Sequence, residues 1–387
     1  MIQKEKEMES RSEKKAKKFR LYKFIALTVL VVFLLGGFVL FENDITMENL
    51  RYLIKYLDFS SSGAFSEEGT IYYNSDSENR FYVFRGDLAI ANKSGVTLYD
   101  RRGSAVMTDS FTMSSPACAC GDKYLIVYDL GGYQLRVYNS FALLFDQTFD
   151  YPIQSANVNS DGSFCVVTSE KSYHSAVFVY DQNFKQIQQW FSSEKFAVDA
   201  ELSDRNILSI SSIHVENGAL ISDLIQLKIG KEEALSTFTV QEEMPFSHSA
   251  DQKGALLLTD SKLRYIEDGK EVSSADFSDN SLKMIRYGKD LCAVVQDELS
   301  VGVSYRVRVF DRKANEILSR QFSVQIRDVE IWDKTVYVLT YTGLVIMESG
   351  KEAVEIPLSG DYSDLGILSK NCVILCSDSV ADIRIFD

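Results

Sequence analysis

From Ile71 to the C-terminus the chain alternates short apolar runs, rich in Val, Ile, Tyr, Phe and Leu, with polar turns. That pattern predicts many short β-strands rather than helices. One kind of run ends in an aromatic or large apolar residue, at Tyr99, Tyr138, Tyr180, Leu227, Tyr265, Phe310, Met347 and Phe386. Successive members lie 39, 42, 47, 38, 45, 37 and 39 residues apart, close to the ~40-residue period of propeller blades. A second apolar anchor follows the first seven by 11 or 12 residues: Phe111, Phe149, Phe191, Phe238, Phe277, Phe322 and Leu358.

A third marker keeps the same register. Each unit has a small polar turn before its most apolar run: Gly86-Asp87, Gly121-Asp122, Asp161-Gly162, Arg205-Asn206, Lys253-Gly254, Lys289-Asp290, Asp333-Lys334 and Lys370-Asn371. Such residues supply the tight backbone of a hairpin. Each unit thus reads as strand, turn, buried strand, turn, strand, turn, outer strand. The predicted fold class is all-β, a β-propeller of about eight four-stranded blades over residues 66–387. Seven blades is the alternative, because the fourth unit is long and irregular around Ser211 to Ser222. The eighth unit lacks an outer strand, and the spare run Thr70–Tyr73 is the candidate to supply it and so remove the open sheet edges.

Upstream the pattern differs. Phe24 to Phe41 is a continuous apolar run without a charge, long enough to cross a bilayer as a transmembrane helix. It ends without the small-residue cleavage site of a signal peptide, which predicts an uncleaved single-pass anchor. Residues 1–23 carry nine basic and four acidic side chains, so the positive-inside rule places this tail in the cytoplasm and the C-terminal domain outside the cell membrane. Residues 42–65 follow as a juxtamembrane amphipathic helix and linker. Leu50, Leu53, Ile54 and Leu57 share one helical face there, with Met47 one turn earlier.

Charge narrows the partners. The whole chain has a net charge of -14, and without the basic tail the remainder is near -19. An acidic domain without clustered Lys and Arg is a poor nucleic-acid binder. Six cysteines fall mostly inside apolar runs, as in FCVV, LCAVV and NCVILC, where free cysteine behaves as a small buried hydrophobe. Cys372 and Cys376 share a predicted strand, so their α-carbons stand roughly 13 Å apart at ~3.3 Å per residue, beyond the ~7 Å limit of a disulfide. Cys118 and Cys120 point to one face and are borderline. A four-thiolate metal site built from the two pairs lacks the tight turn such sites use.

Candidate chemistry is sparse. His174, His214 and His248 are scattered over different units without metal spacing and are expected at surface or loop positions. There is no G-x-S-x-G elbow. Asn159 to Ser163 resembles the start of a calcium loop, yet it lies between two predicted strands and reads better as a hairpin turn. No catalytic, cofactor-binding or metal-ligating residue is assigned, and no cofactor is expected.

With the apolar run, the stretch ENLRYLIKYLDF (Glu48–Phe59) and the repeats in place, the chain resembles an uncharacterised family of single-pass bacterial membrane proteins, mostly Gram-positive, of the domain of unknown function 5711 type. The resemblance implies a propeller-like ectodomain at the membrane and implies no activity. The repeats also loosely resemble the quinoprotein-like eight-bladed propellers and their non-enzymatic scaffold relatives. The enzymes of that group carry a tryptophan-docking motif in most blades, whereas this chain has only Trp190 and Trp332. The expectation is therefore a membrane-anchored, extracytoplasmic binding or scaffold module for an envelope protein or other ligand, and not an enzyme. The alternatives are a hydrolase with its site at the propeller axis and a transmembrane sensor.

Overall fold

The computed structural model describes residues 69–386 apart from 76–77, 204–205, 252, 278–280 and 299–301. The predicted tail, membrane span and juxtamembrane helix lie outside the described residues. The chain divides into two units, residues 1–64 and 65–387.

The second unit is an eight-bladed propeller of four-stranded antiparallel sheets. Blades 1 to 7 run from inner to outer strand in chain order. Their inner strands are Arg80–Phe84, Pro116–Cys120, Ile153–Val158, Phe196–Leu202, Pro245–Ala250, Ser281–Tyr287 and Ile326–Trp332. Their outer strands are Ala105–Ser110, Leu143–Thr148, Gln186–Ser192, Ala234–Gln241, Lys270–Asp276, Glu316–Phe322 and Val354–Pro357. Blade 8 takes Asp364–Ser369, Cys372–Cys376 and Val380–Ile385 from the C-terminus and Gly69–Tyr72 from the start of the domain. The expected closure by Thr70–Tyr73 is therefore present, with Ile71 opposite Ala381.

Burial explains why the sequence alternates as it does. The second strand of a blade is covered on both faces by neighbouring blades, so it reads as a nearly unbroken apolar run. Phe164–Thr168, Gly254–Thr259, Thr335–Thr340 and Cys372–Cys376 are buried at every position. Outer strands face solvent on one side, and Ala234–Gln241 alternates exposed and half-buried residues. The core consequently lies between blades. Eight apolar clusters occupy the eight blade interfaces.

The blade 4/5 interface is the exception in chemistry. Its apolar cluster contains only Leu224, Ala255, Leu257 and Ile266 as buried members. Buried polar groups concentrate in the same two blades: Ser209, Ser211, Ser212, Ser222, Asp223, His248 and Arg264. The irregular fourth unit is thus an ordinary blade with a polar second strand, ILSISSIHVE. That strand and its partner Ala219–Lys228 are each ten residues long. They meet at a two-residue turn in which Asn217 (φ 52°) and Gly218 (φ 83°) are both left-handed, the arrangement that matches strand twist in a tight hairpin. The seven-blade alternative is excluded.

The cysteines are all free. Cys165, Cys292, Cys372 and Cys376 are buried in second strands as expected, and Cys118 and Cys120 lie on the inner strand of blade 2. Asn159 to Ser163 forms the predicted hairpin turn, with the Ser163 N–H donating to Asp161 Oδ1 at 2.7 Å.

An aromatic loop face and a stapled axis

Antiparallel order places two sets of loops on one face of the ring: the turns between second and third strands, and the connections from one blade to the next. Backbone hydrogen bonds tie the two sets together. Leu130 N donates to Ser115 O at 2.9 Å, Asp260 N to Met244 O at 2.9 Å, and Tyr341 N to Gln325 O at 2.9 Å. The outer strand of blade 8, Gly69–Tyr72, runs toward this face, so Tyr72 lies at it and Gly69 at the opposite one.

Exposed apolar side chains are unevenly shared between the faces. Of 17 large exposed hydrophobics among the described residues, Leu143, Ile187, Leu235, Val272, Ile317 and Val354 sit one each on outer strands. Scattered singles of that kind need no explanation. Trp332 ends an inner strand on the opposite face. The remaining ten all lie on the loop face, and seven of these belong to blades 2 to 5: Leu130, Tyr133, Tyr173, Phe196, Val215, Met244 and Phe246.

Ring and backbone contacts fix some of these loops against neighbouring elements. The His174 ring of blade 3 stacks on Phe196 of blade 4 at 4.2 Å, and Tyr173 packs on Phe191 at 5.0 Å. Gly131 N donates to Ile153 O at 2.8 Å and Ile153 N to Gly132 O at 2.7 Å, fixing the blade 2 turn over blade 3. Val215 rides on the long blade 4 hairpin. Carboxylates border the patch at Glu170, Glu194, Glu216 and Glu242, with Lys171 among them.

The axis is polar, and its inner strands are joined blade to blade. Asn157 Nδ2 donates to Asp199 Oδ1 at 2.8 Å and to Ala200 O at 2.7 Å. Glu201 Oε2 accepts the Ala250 N–H at 2.6 Å. Ser247 Oγ and the Tyr287 hydroxyl are 3.0 Å apart. Arg286 bonds Asp328 at 3.0 Å and Glu330 at 3.1 Å, and Asp328 Oδ2 accepts the Leu365 N–H at 3.0 Å. These groups bridge blades 3/4, 4/5, 5/6, 6/7 and 7/8 in turn. Each carboxylate already serves as a staple.

Confinement shifts their proton affinities. Burial raises Glu201, with His248 and the Ala250 N–H opposing it. Burial likewise raises Asp328 against the pull of Arg286. Glu330 is pushed up to about 7, by burial first, with Arg286 opposing and Asp328 adding to the rise. A carboxyl raised from 4.5 to about 7 binds more protons folded than unfolded, so its contribution to stability falls as pH rises through that window. Glu330→Gln is therefore expected to gain stability relative to the parent chain between pH 4.5 and 7, read from urea unfolding across pH. A pH-independent difference would disprove the assignment.

His248 corrects one expectation. It is 4% exposed on the blade 5 inner strand rather than at the surface. Its Nε2 lies 3.1 Å from Ser209 O, and its Nδ1 is 3.9 Å from Asp199 Oδ2. The ring thus faces a carbonyl and a carboxylate, not a hydroxyl to activate. His214 is partly buried beside Asp223 at 3.2 Å, and only His174 is in an exposed loop. Among the described residues no group of three or more His, Cys, Asp or Glu could hold a metal ion. Burial pushes Cys292 up to about 12 and Cys118 and Cys165 well above the ordinary thiol value, which suppresses the thiolate needed for reaction or ligation.

Eight closed four-stranded blades define a β-propeller. The chain belongs to the DUF5711 family, a family of unknown function, whose sequence profile matches residues 64–348. The match begins after Glu48–Phe59, one of the stretches that carry the resemblance. No curated protein matches the chain in sequence. Among solved structures, the WD40 domain of SCAP from fission yeast is similar at 10% identity and a TM-score of 0.52, covering 83% of this chain and 98% of that one. A eukaryotic initiation factor is similar at 13% identity and a TM-score of 0.54, covering 80% of this chain and 89% of that one. At such identities the likeness is one of fold.

Proposed function

We propose that this protein is a membrane-anchored, extracytoplasmic binding module, without enzymatic activity, that holds an envelope protein on its loop face. The observation that carries the reading is the concentration of exposed aromatic and aliphatic residues on that face over blades 2 to 5. Exposed apolar residues gathered on one face are the raw material of an interaction site, and rigid blades hold such loops in place. The apolar run Phe24–Phe41 and the basic tail before it support anchoring with the N-terminus in the cytoplasm.

The test is capture from the native cells by crosslinking of the full-length chain, with the anchor fused to an unrelated domain as control. Phe196→Ser combined with Phe246→Ser is expected to reduce recovery of the partner about tenfold or more, as for central aromatic anchors, while the urea unfolding midpoint stays near that of the parent. Undiminished capture by that variant would remove the loop face from the reading. A reporter placed after residue 387 and active only in the cytoplasm would remove the topology.

A hydrolase with its site at the axis is the second reading, favoured by the pairing of Glu330 with Asp328 on the blade 7 inner strand, both with raised proton affinity. Hydrolytic turnover abolished by Glu330→Gln would support it over the binding reading.

A further inference from the structure

A cavity of about 180 Å³ lies between the outer strand of blade 2 and the face that blade 3 turns toward it. Its apolar walls are Phe149, Phe178 and Tyr180, and the Phe149 and Phe178 ring centroids are 5.9 Å apart. Asp150 and Glu170 line it from the loop-face end. Glu170 Oε1 accepts the backbone N–H of Lys171 at 2.9 Å, and neither carboxylate is ion-paired among the described residues. Thr168 also lines the cavity. It stands opposite Ala176, so it shares a sheet face with Phe178 and Tyr180, both on the same strand as Ala176. Thr168 is 1% exposed, and its Oγ1 has no hydrogen-bond partner. A buried hydroxyl without a partner loses free energy unless something in the cavity bonds it.

We propose that this cavity binds a primary alkylammonium group. Size limits the ligand first. A cavity of ~150 Å³ takes a benzene-sized molecule, whereas pockets for drug-sized ligands run to ~300–1,000 Å³. This one fits a single side chain. Charge then selects a cation, since two unpaired carboxylates disfavour an anion. An ammonium is a compact charge with three rotatable donors, matching two carboxylates and one hydroxyl, and its methylene stem lies against the aromatic walls. The lysine side chain of a partner protein and a free polyamine share this chemistry. The inference does not depend on the loop-face reading, because the cavity binds the group whether or not a protein covers the face.

The experiment is ligand-observed NMR on the full-length chain in nonionic detergent. The probes are Nα-acetyl-lysine methylamide, cadaverine, and the norleucine and arginine counterparts of the lysine probe. The lysine probe is expected to bind with a Kd of order 1 mM, as befits a single side chain, and the norleucine probe not to bind. Asp150→Asn with Glu170→Gln is expected to weaken binding about tenfold or more. Thr168→Val is expected to weaken it several-fold while leaving the thermal midpoint unchanged or raised, since an unpartnered hydroxyl is being removed. Binding of cadaverine as well supports a site for free amines; binding of the lysine probe alone supports a partner's side chain. Norleucine binding equal to lysine, tighter binding of arginine, absence of binding by any amine, or full affinity in the double variant would overturn the proposal.

Discussion

Arg264→Met is expected to lower the unfolding free energy by about 3–5 kcal/mol, the range seen when one partner of a buried ion pair is removed. Arg264 is 3% exposed in the third strand of blade 5, Lys262–Glu267. Its two terminal nitrogens reach the two oxygens of Glu243 at 2.6 Å each, and Nε reaches Glu271 at 2.9 Å. Bidentate geometry of this kind makes a strong charge-assisted pair. Glu243 lies in the connection from blade 4 to blade 5, so the pair ties together the two blades with the smallest apolar cluster between them. Methionine replaces the bulk but leaves the Glu243 carboxylate, 15% exposed, without its cation. Glu243→Gln with Arg264→Met is expected to be less destabilised than the sum of the single changes, because no uncompensated charge remains. Urea unfolding checks both statements. A single variant within about 0.5 kcal/mol of the parent, the range of neutral surface changes, would show that the pair contributes nothing net.

The same pair has a pH signature. Burial pushes the Glu243 carboxyl up, but hydrogen bonds from Arg264 and Thr259 outweigh it and leave the group below its ordinary value of 4.5. A depressed carboxyl stabilises the fold above its unfolded value and loses that contribution as pH falls through the lower folded value. Arg264→Met is therefore expected to be less acid-sensitive than the parent below pH 4.5, opposite in sign to the behaviour at Glu330.

The repeat was legible because propeller blades impose it residue by residue. Second strands are buried on both faces, so VLT-like runs stand out against polar turns. Tyr99, Tyr138 and Tyr180 close third strands in the structure as they close runs in the sequence. Blade 4 obscured the count for a physical reason: where its neighbour offers hydrogen bonds instead of apolar surface, its second strand carries serines and reads as a turn. His248 and Arg264 were missed likewise. A polar residue on a strand looks like an exposed position until its buried partner is known, and that partner is some 20 to 40 positions away in sequence, Glu243 for Arg264 and Ser209 for His248. The loop face had a local signal, aromatic residues standing in otherwise polar connections at Tyr173, Phe196 and Phe246, but only the fold reveals that these connections share a face. The cavity between blades 2 and 3 had none, because Thr168 and Asp150 meet only across the interface.

Ile71→Asp in the full chain is expected to detach the closing strand and to make the ring associate through the edge this exposes. Ile71 is 1% exposed and packs with Leu88, Ile374 and Ile383, at the seam between blades 8 and 1. Truncating a buried isoleucine alone loses about 2–5 kcal/mol, and a carboxylate without a partner adds a desolvation penalty. The strand is short, with four cross-strand pairs from Gly69–Ile383 to Tyr72–Val380. It is reinforced by Thr70 Oγ1 donating to Asp382 at 2.8 Å and by the Tyr73 hydroxyl donating to Val380 O at 2.9 Å. Those bonds do not offset a buried charge, so the strand leaves before the rest of blade 8 unfolds. Val380–Ile385 then presents a row of unpaired backbone groups, the template for edge-to-edge pairing that closed propellers avoid. Hydrogen exchange is expected to show lost protection at Val380–Ile385 with the second strands of blades 2 to 6 still protected, and light scattering a mass that rises with concentration. Uniform loss of protection across all eight blades would instead mean that closure and the whole ring form one cooperative unit, and that the seam has no separate stability to lose.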